Sequence, residues 1–175
     1  MTNQTLLTQI PENTSFLQPN KFSFVFPTMP FLRYFSQTAS IPAISTNAVV
    51  QNSPFARTYR HGDTLDYSDF VLTSLVDEDL RVYRETHDWL IALTKPQEYE
   101  QYKRFYNSNK KLYHDAVLTI NTNANNPNLR YIFKNCHPVG LGQIDLDTRR
   151  TADETITVDI TFRYDYFTIE RVNEF

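Results

Sequence analysis

The side chains in this sequence that could bind a metal or act as a nucleophile are few and widely spaced. The four histidines are His61, His87, His114 and His137, and none belongs to an HxH or HExxH pattern of the kind that holds zinc. The single cysteine, Cys136, precedes His137. Adjacent residues of a strand point to opposite faces, so these two cannot form a thiolate–imidazole pair there. The pattern predicts solvated or singly hydrogen-bonded histidines and a buried structural cysteine.

Acidic residues form a second group that could do chemistry, late in the chain. The cluster comprises Asp145, Asp147, Asp153 and Glu154. Its spacing fits no EF-hand, and Arg149 and Arg150 interrupt it, so a solvated loop is the favoured interpretation. There is no GxSxG elbow, and the three glycines are too few for a phosphate-binding loop. We therefore expect no enzyme activity, no metal site and no cofactor.

Basic and aromatic side chains alternate in one segment, which leaves a nucleic-acid hypothesis open. The segment 102–111 contains Lys103, Arg104, Lys110 and Lys111, interleaved with Tyr102, Phe105 and Tyr106. Such a surface could bind single-stranded nucleic acid, or it could be a solvated helix end whose aromatic rings pack inward. Lys plus Arg total 17 against 20 Asp plus Glu, a formal charge of −3. This balance argues against a general phosphate-binding protein.

Composition places the chain among ordinary globular domains. Its 175 residues suit one domain, with 41% hydrophobic and 21% charged residues. Aromatic residues reach 14%, which favours strands. No apolar run approaches the roughly 20 residues of a membrane-spanning helix. The first residues lack the features of a secretory signal, so we expect synthesis in the cytoplasm and no membrane insertion.

Strand patterns dominate the first half of the chain. Residues 21–26 place Phe at every second position before Pro27, which predicts a first strand. A second, less regular strand is predicted over residues 31–40. Strand character resumes over residues 65–75.

The segment between those strands is too long to be an ordinary connection. Residues 43–62 show little periodicity and contain Pro54, although a short β-ribbon is possible from residues 48–51 and 57–60. Loops of this length within one domain are often functional.

Helical periodicity is confined to the middle of the chain. Val82, Thr86, Trp89 and Leu93 fall on one face of a predicted amphipathic helix, and the acidic residues 77–79 suit its N-terminus. A second short helix is predicted over residues 97–107, with Tyr99, Tyr102 and Tyr106 on one stripe.

The remaining strands lie in the second half. Strands are predicted over residues 116–120 and 129–134, followed by a connection over 135–147. Residues 154–167 alternate apolar and polar side chains strictly. As one strand they would extend roughly 40 Å, which suits a barrel wall or an extended sheet.

The predicted fold class is mainly β: an antiparallel β-sandwich or barrel with a flanking α-helix. We expect an N-terminal arm over residues 1–19 and a β domain over 20–169. That domain contains a helical insertion at about 79–107, and a C-terminal tail follows over 170–175.

The order of these segments resembles the tail tube proteins of T4-like contractile-tailed bacteriophages and their paralogues at the baseplate end of the tube. Six segments in order carry the resemblance, from about residue 17 to 168: Leu17–Phe26, Phe35–Ser45, Arg60–Glu78, Val82–Leu93, Phe133–Leu146 and Thr155–Phe167. They include a Pro-Asn-x-Phe that introduces the first strand and an Asp-Trp within the helix.

The resemblance implies a structural virion protein. Proteins of this family form hexameric rings whose inner sheets join into a continuous β-barrel around a channel. The rings stack into the tube through which DNA is ejected, and a contractile sheath surrounds that tube. The implied partners are further copies of the chain, the tail sheath protein, the tape measure protein, the baseplate tube-initiating proteins and DNA in transit without specific binding. The implied location is the virion tail tube, after assembly in the host cytoplasm.

Two groups of residues follow: the contact residues from the resemblance, and the lumen-facing residues as a hypothesis from the polar face of the last predicted strand. The candidate lumen-facing residues are Thr155, Thr157, Asp159, Thr161, Arg163 and Asp165. The candidate ring-stacking or subunit-contact residues, in the long connection, are Ile44, Val49, Val50, Pro54, Phe55, Arg57, Tyr59 and Arg60. A polar wall with two acids and one base suits a conduit that repels phosphate.

Three assignments remain open. The longer N-terminal arm and the C-terminal tail could mark a tube initiator or cap at the baseplate, but the sizeable insertions usual in those relatives are absent. A polymerising tube subunit is therefore favoured. A monomeric module that binds single-stranded nucleic acid is the other alternative.

Overall fold

The computed structural model describes residues 14–105, 112–149, 151 and 153–172. In chain order, its strands are β1 (Phe22–Val25), β2 (Ser36–Ala39), β3 (Ile44–Thr46), β4 (Val49–Asn52), β5 (Arg57–Arg60), β6 (Leu65–Tyr67), β7 (Phe70–Leu75), β8 (His114–Asn121), β9 (Pro127–Leu141), β10 (Thr157–Arg163) and β11 (Tyr166–Arg171). The helices are α1 (Pro30–Phe35), α2 (Arg81–Thr94) and α3 (Tyr99–Arg104). The predicted mainly β, antiparallel class with a flanking helix is confirmed.

Seven strands form one antiparallel sheet. Its order is β1-β8-β9-β10-β7-β2, and β11 also pairs with β9. Two smaller sheets pair β3 with β6 and β4 with β5.

The long strand β9 joins two layers of this sheet. One edge of β9 pairs with β8, while the other pairs with β11 through residues 129–134 and with β10 through 137–141. Aromatic rings from the two layers meet in the core: Phe70 lies 5.3 Å from Phe24 and 4.8 Å from Phe133 between ring centroids. The strands thus enclose an aromatic core as a sandwich.

Helix α2 covers one end of that core, as its periodicity predicts. Val82, Thr86 and Trp89 are buried. The Trp89 ring stacks on Phe105 with centroids 5.9 Å apart, and its Nε1–H donates to the carbonyl oxygen of Leu112 at 3.0 Å. The indole therefore packs with its polar atom satisfied.

The acidic residues before α2 act at its N-terminus as expected. The Asp77 carboxylate accepts a hydrogen bond from the Arg81 backbone N–H at 2.8 Å. This bond satisfies one of the N–H groups that a helix leaves without an internal partner.

The predicted second strand over residues 31–40 is wrong in its first half. Residues Pro30–Phe35 form α1, and only Ser36–Ala39 form a strand. Pro30 sits in the first turn, where its fixed φ and missing N–H are tolerated. Leu32 is fully buried, so one turn of helix covers the core at this point.

The predicted strand over residues 65–75 is interrupted. Residues 65–67 pair with β3, and residues 70–75 pair with β2 and β10. At the interruption the Ser68 N–H and hydroxyl donate to the Ala43 carbonyl at 3.0 and 3.2 Å, and the Ala43 N–H donates to the hydroxyl at 2.8 Å. Because these local bonds use the backbone groups of Ser68 and Ala43, the chain is not paired with the large sheet at this point.

The connection that was predicted over residues 135–147 begins later in the structure, after residue 141. Strand β9 continues to Leu141, although Asn135 has a left-handed φ of 53°. Asn tolerates that conformation better than most residues, so the strand bends there without ending.

The predicted single strand over residues 154–167 is also wrong. It forms β10 and β11, which break at Tyr164 and Asp165, directly opposite the bend at Asn135. The Asn135 Nδ2 donates to the Asp165 carboxylate at 2.5 Å. Strand β9 and the β10–β11 segment therefore bend at the same level. Tyr164 faces the core before the bend and Phe167 packs against it after the bend, while Tyr166 is exposed.

The two ends of the chain are described only in part. Residues 1–13 of the predicted arm and 173–175 of the predicted tail lie outside the described residues. Glu170 and Arg171, assigned to the tail, belong to β11. None of the helices in the described part of the chain has the length and apolar character needed to cross a membrane.

Candidate functional site

The most exposed feature of the molecule is a β-ribbon formed by residues 44–67, termed the ribbon. Its outer part pairs β4 with β5, and its base pairs β3 with β6. The structure places all eight predicted contact residues on the ribbon, and all are exposed: Ile44, Val49, Val50, Pro54, Phe55, Arg57, Tyr59 and Arg60.

The ribbon presents apolar side chains to solvent on both of its faces. Val50 lies opposite Tyr59, whereas Val49 lies opposite Arg60 on the other face. A two-stranded hairpin alone is marginally stable in water. A ribbon with exposed apolar groups on both faces is therefore suited to contact another surface.

The tip of the ribbon holds Phe55 away from the rest of the molecule. The Ser53 N–H donates to the Ala56 carbonyl at 3.0 Å, and the Ala56 N–H donates to the Ser53 hydroxyl at 3.3 Å. These bonds close the turn and leave Phe55 99% exposed.

The base of the ribbon is fixed to the core by tyrosines. The Tyr67 ring lies 5.9 Å from Tyr164 and 5.6 Å from Phe167. The Tyr164 hydroxyl donates to the Ser68 carbonyl at 2.9 Å. Burial raises the pKa of Tyr164 to about 12, so this hydroxyl remains a donor at neutral pH.

Gly62 permits a close approach between the two sides of the ribbon. A Cβ atom at this position would overlap the carbonyl oxygen of Asn47. This contact therefore requires glycine, which has no side chain.

The second candidate surface is the outward face of β10. Thr157, Asp159, Thr161 and Arg163 alternate on it with the buried residues of the strand. Thr155 and Asp165 are exposed but lie just outside β10. The structure thus brings four of the six candidate lumen-facing residues onto one strand face.

The charges on this sheet face are organised by β7 and the residue before it. The Thr73 hydroxyl donates to the Asp159 carboxylate at 2.7 Å, and Arg163 Nε donates to the Asp69 carboxylate at 2.6 Å. The Asp69 hydrogen bond raises the pKa of the Arg163 guanidinium. Because Asp69 neutralises Arg163, while Asp159 is contacted by an uncharged hydroxyl, the face is slightly negative.

Sequence reasoning missed Asp69 and Thr73, because they come from another segment of the chain. Strand β7 pairs with β10 in a register that sets Thr73 opposite Asp159. The polar residues within the predicted strand over 65–75 were the signal that could have found them.

The histidines and the cysteine do not form a site among the described residues. Cys136 is buried, and burial raises the pKa of its thiol. His137 points away from the core, where its ring lies 4.7 Å from Tyr113. No group of three or more His, Cys, Asp or Glu side chains in the described ranges could hold a metal ion.

The basic segment near α3 is engaged within the molecule where it is described. Arg104 lies 3.3 Å from Asp88 and 3.8 Å from Glu85, and Phe105 is buried against Trp89. Tyr99 is exposed; the other two tyrosines of its predicted stripe, together with Lys110 and Lys111, lie outside the described side chains.

Comparison with known proteins gives a family match across most of the chain. The family model described as phage tail tube protein matches residues 7–170. Among curated proteins, no sequence matches this chain significantly.

Several solved structures share the fold. A chain from the cryo-EM structure of the anti-feeding prophage cap, the tube-terminating cap, is 13% identical, with a TM-score of 0.66 over 95% of this chain and 99% of that chain. A chain from the baseplate of the same particle is 12% identical, with a TM-score of 0.61 over 87% and 93% of the two chains. A sheath/tube terminator chain of an extracellular contractile injection system is 13% identical, with a TM-score of 0.58 over 90% and 99%.

Proposed function

This chain belongs to the phage tail tube protein family, a family of structural and not enzymatic proteins, and from that premise we propose that it is a ring-forming tube subunit. Six copies form a ring, and the rings stack into the inner tube of a contractile tail. The tube is the conduit through which DNA is ejected.

The observation that carries this proposal is a sheet with open edges. In the described part of the chain, β1, β2 and β11 each pair with one neighbouring strand and leave their other edge open. Open edges invite pairing with other chains, and closure into a barrel removes them. Neighbouring copies that add their sheets to these edges would complete a barrel.

The ribbon supplies the contacts beyond the barrel. Its exposed apolar residues are the proposed ring-stacking and subunit-contact surface. The outward face of β10, with Thr155 and Asp165 beside it, is the proposed wall of the channel. A weakly acidic wall repels phosphate and lets DNA pass without binding.

The proposed partners follow from this role. They are further copies of the chain, the tail sheath protein, the tape measure protein and the tube-initiating proteins of the baseplate. The proposed location is the tail tube of the virion, after assembly in the host cytoplasm. In support, one structurally similar chain comes from a six-fold symmetrised baseplate of the anti-feeding prophage.

A cap or initiator of the tube is the second candidate function. It is favoured by the fold shared with chains from a tube-terminating cap and a sheath/tube terminator. A cap would form single rings, whereas a tube subunit would form long stacks.

Electron microscopy and light scattering of the purified full chain at increasing concentration test these functions. Stacked six-fold rings support the tube subunit, and rings that never stack support the cap. A stable monomer whose mass is unaffected by salt or concentration contradicts both, and DNA binding by that monomer would support the nucleic-acid module.

A further inference from the structure

The connection between β9 and β10 forms a pocket that has no role in the function proposed so far. Its cavity has a volume of about 390 Å³, with Leu146 and Ile156 as apolar lining and Asp145, Asp147 and Glu154 as acidic lining. Leu146 is 81% exposed. A large exposed leucine in a pocket that is also lined by three carboxylates is suited to an apolar group that carries positive charge nearby.

The outer part of the ribbon has the complementary composition. Residues 49–60 contain Arg57 and Arg60 and no acidic residue, a charge of +2. Phe55 stands beside them at the tip. The connection over residues 142–156 contains four carboxylates and two arginines in sequence, a charge of −2.

Part of the acidic charge remains available to a partner. Arg149 donates to Asp147 at 2.9 Å and holds the pKa of that carboxyl below its usual value. Asp145 is contacted by the Gln143 amide at 3.2 Å. That amide is uncharged, so it brings no opposite charge to the Asp145 carboxylate.

The two surfaces lie at opposite ends of the same pair of strands. The ribbon joins β7 at Phe70, which lies opposite Phe162, whereas β7 ends at Leu75, opposite Thr157. The connection enters β10 at Thr157. One surface therefore stands at each end of the β7–β10 pair, and the ribbon does not line the pocket of its own chain.

We propose that the ribbon tip of one copy docks into the β9–β10 pocket of the next copy along the tube. Phe55 contacts Leu146 and Ile156 of the neighbour, and Arg57 faces the neighbour's Asp145. The occupant is a second copy of this chain, because one chain carries both complementary surfaces at opposite ends. This inference rests on the proposed tube function and names the surface that receives the ribbon.

Such a contact is heterologous, and the geometry explains why it would produce stacking. A surface that binds a different surface on an identical molecule either closes into a ring or continues as an open assembly. Complementary surfaces at the two ends of one strand pair extend the assembly along the axis of that pair, so each copy can receive one ribbon and offer another.

Cysteine cross-linking tests the contact directly. The variant carries Phe55→Cys with Leu146→Cys; both positions are exposed, and the native Cys136 is buried. Mild oxidation of assembled protein is expected to give a ladder of covalent multimers. The matched control carries Tyr34→Cys with Leu146→Cys, since Tyr34 is also exposed but lies on α1, and we expect at least about tenfold less ladder.

Charge exchange provides a second measurement. Arg57→Glu with Arg60→Glu is expected to reduce tube length at least about tenfold, because like charges then face each other. Adding Asp145→Arg and Glu154→Arg to the same chain is expected to restore long tubes. Restoration would not occur if the two surfaces never meet.

The outcomes separate this inference from the proposed function. Six-fold tubes that form normally but give no cross-linked ladder overturn the docking contact and leave the tube function intact. Dimers formed by Phe55→Cys alone would show that ribbon tips meet each other, which also overturns it. If the unmodified chain remains a monomer, the tube function itself has failed.

Discussion

Tyr164 shows how one side chain links the core to the ribbon. Its ring is buried between Phe133 and Tyr67, and its hydroxyl reaches the Ser68 carbonyl at the interruption between β6 and β7. The ribbon therefore leaves the sandwich from a fixed point, although its outer part is exposed.

Replacement of this tyrosine tests that attachment. Tyr164→Phe removes the hydrogen bond to the Ser68 carbonyl, so we expect a loss of about 1 kcal/mol in the free energy of unfolding. Urea denaturation followed by circular dichroism measures it. Tyr166→Phe, at an exposed tyrosine nearby, is the control; an equal loss in both variants would contradict this role.

Glu85 is a second residue whose environment has a measurable consequence. Its Oε2 atom is buried and has no hydrogen-bond partner among the described residues. Burial raises the pKa of this carboxyl above its ordinary value of 4.5, against the opposing attraction of Arg104, and Asp88 and Asp77 raise it further. The charged form is thus less favourable in the folded state than in the unfolded chain.

This difference predicts a pH-dependent stability. Because the folded-state pKa is raised, the stability contribution of Glu85 is complete below about pH 4.5. It is lost as pH rises through the folded-state pKa. Glu85→Gln should therefore melt at a higher temperature than the native chain at pH 7, and the two should converge below about pH 4.5.

Calorimetry across pH 4 to 8 measures this effect. Arg104 retains Asp88 at 3.3 Å in the variant, so its charge stays paired. Glu78→Gln, at an exposed position before α2, is the matched control. A Glu85→Gln variant that melts lower than the native chain at pH 7 would show that attraction to Arg104 outweighs burial.

The ribbon is an element whose shape can be changed while the packing of the sandwich core is kept. It contributes little to the core, but its two sides are brought together by the close approach of Gly62 to Asn47. A change at Gly62 should therefore affect the shape of the ribbon more than the stability of the sandwich.

Gly62→Ala is the corresponding test. We expect a loss of about 0.5–3 kcal/mol in unfolding free energy, because the added Cβ forces the backbone at Asn47 to shift, together with a severe loss of tube assembly seen by electron microscopy. Asp63→Ala, at the next exposed position, should assemble normally. Normal assembly of Gly62→Ala would show that the ribbon tolerates the altered base or does not take part.

Local pattern predicted some elements well. The amphipathic helix from Arg81 was predictable because its buried residues recur at helical spacing. The β4–β5 ribbon was predictable because two short strand-like runs flank a turn at Pro54. The eight contact residues followed from that position and from the family resemblance, and in the structure all eight are exposed on the ribbon.

Other elements were unpredictable because partners determine them. Tyr164 and Tyr166 continue the alternation of β10 in sequence, so nothing local indicates the bend. The bend coincides with Asn135 on the paired strand, whose φ is positive. The pocket around Leu146 was missed for a related reason, since its connection has no periodicity and its apolar lining includes Ile156 from beyond the turn.

For the whole molecule, the distribution of charge is the property that a DNA conduit would require. A formal charge of −3 is accompanied by a sheet face on which the arginine is neutralised by Asp69. If this face lines the channel, the channel presents no unpaired cation from β10 to the DNA.

Reversing that charge should create DNA binding. Tubes of Asp159→Lys with Asp165→Lys are expected to retain double-stranded DNA at low salt and release it as salt increases, because phosphate contacts are salt-dependent. Fluorescence anisotropy of labelled DNA measures retention. Glu78→Lys with Glu98→Lys, at exposed positions of the helical segment, is the control; a reconstruction with Asp159 on the outer surface would contradict the assignment.

Strand β9 has a mechanical consequence for such a particle. Its 15 residues hydrogen-bond to β8 along one edge and to both β10 and β11 along the other. Tension applied to either layer is therefore transmitted through one covalent segment and not only through side-chain contacts between layers. We therefore expect the two layers to unfold together when a subunit is pulled along the tube axis. Each subunit would then be either folded or completely unfolded.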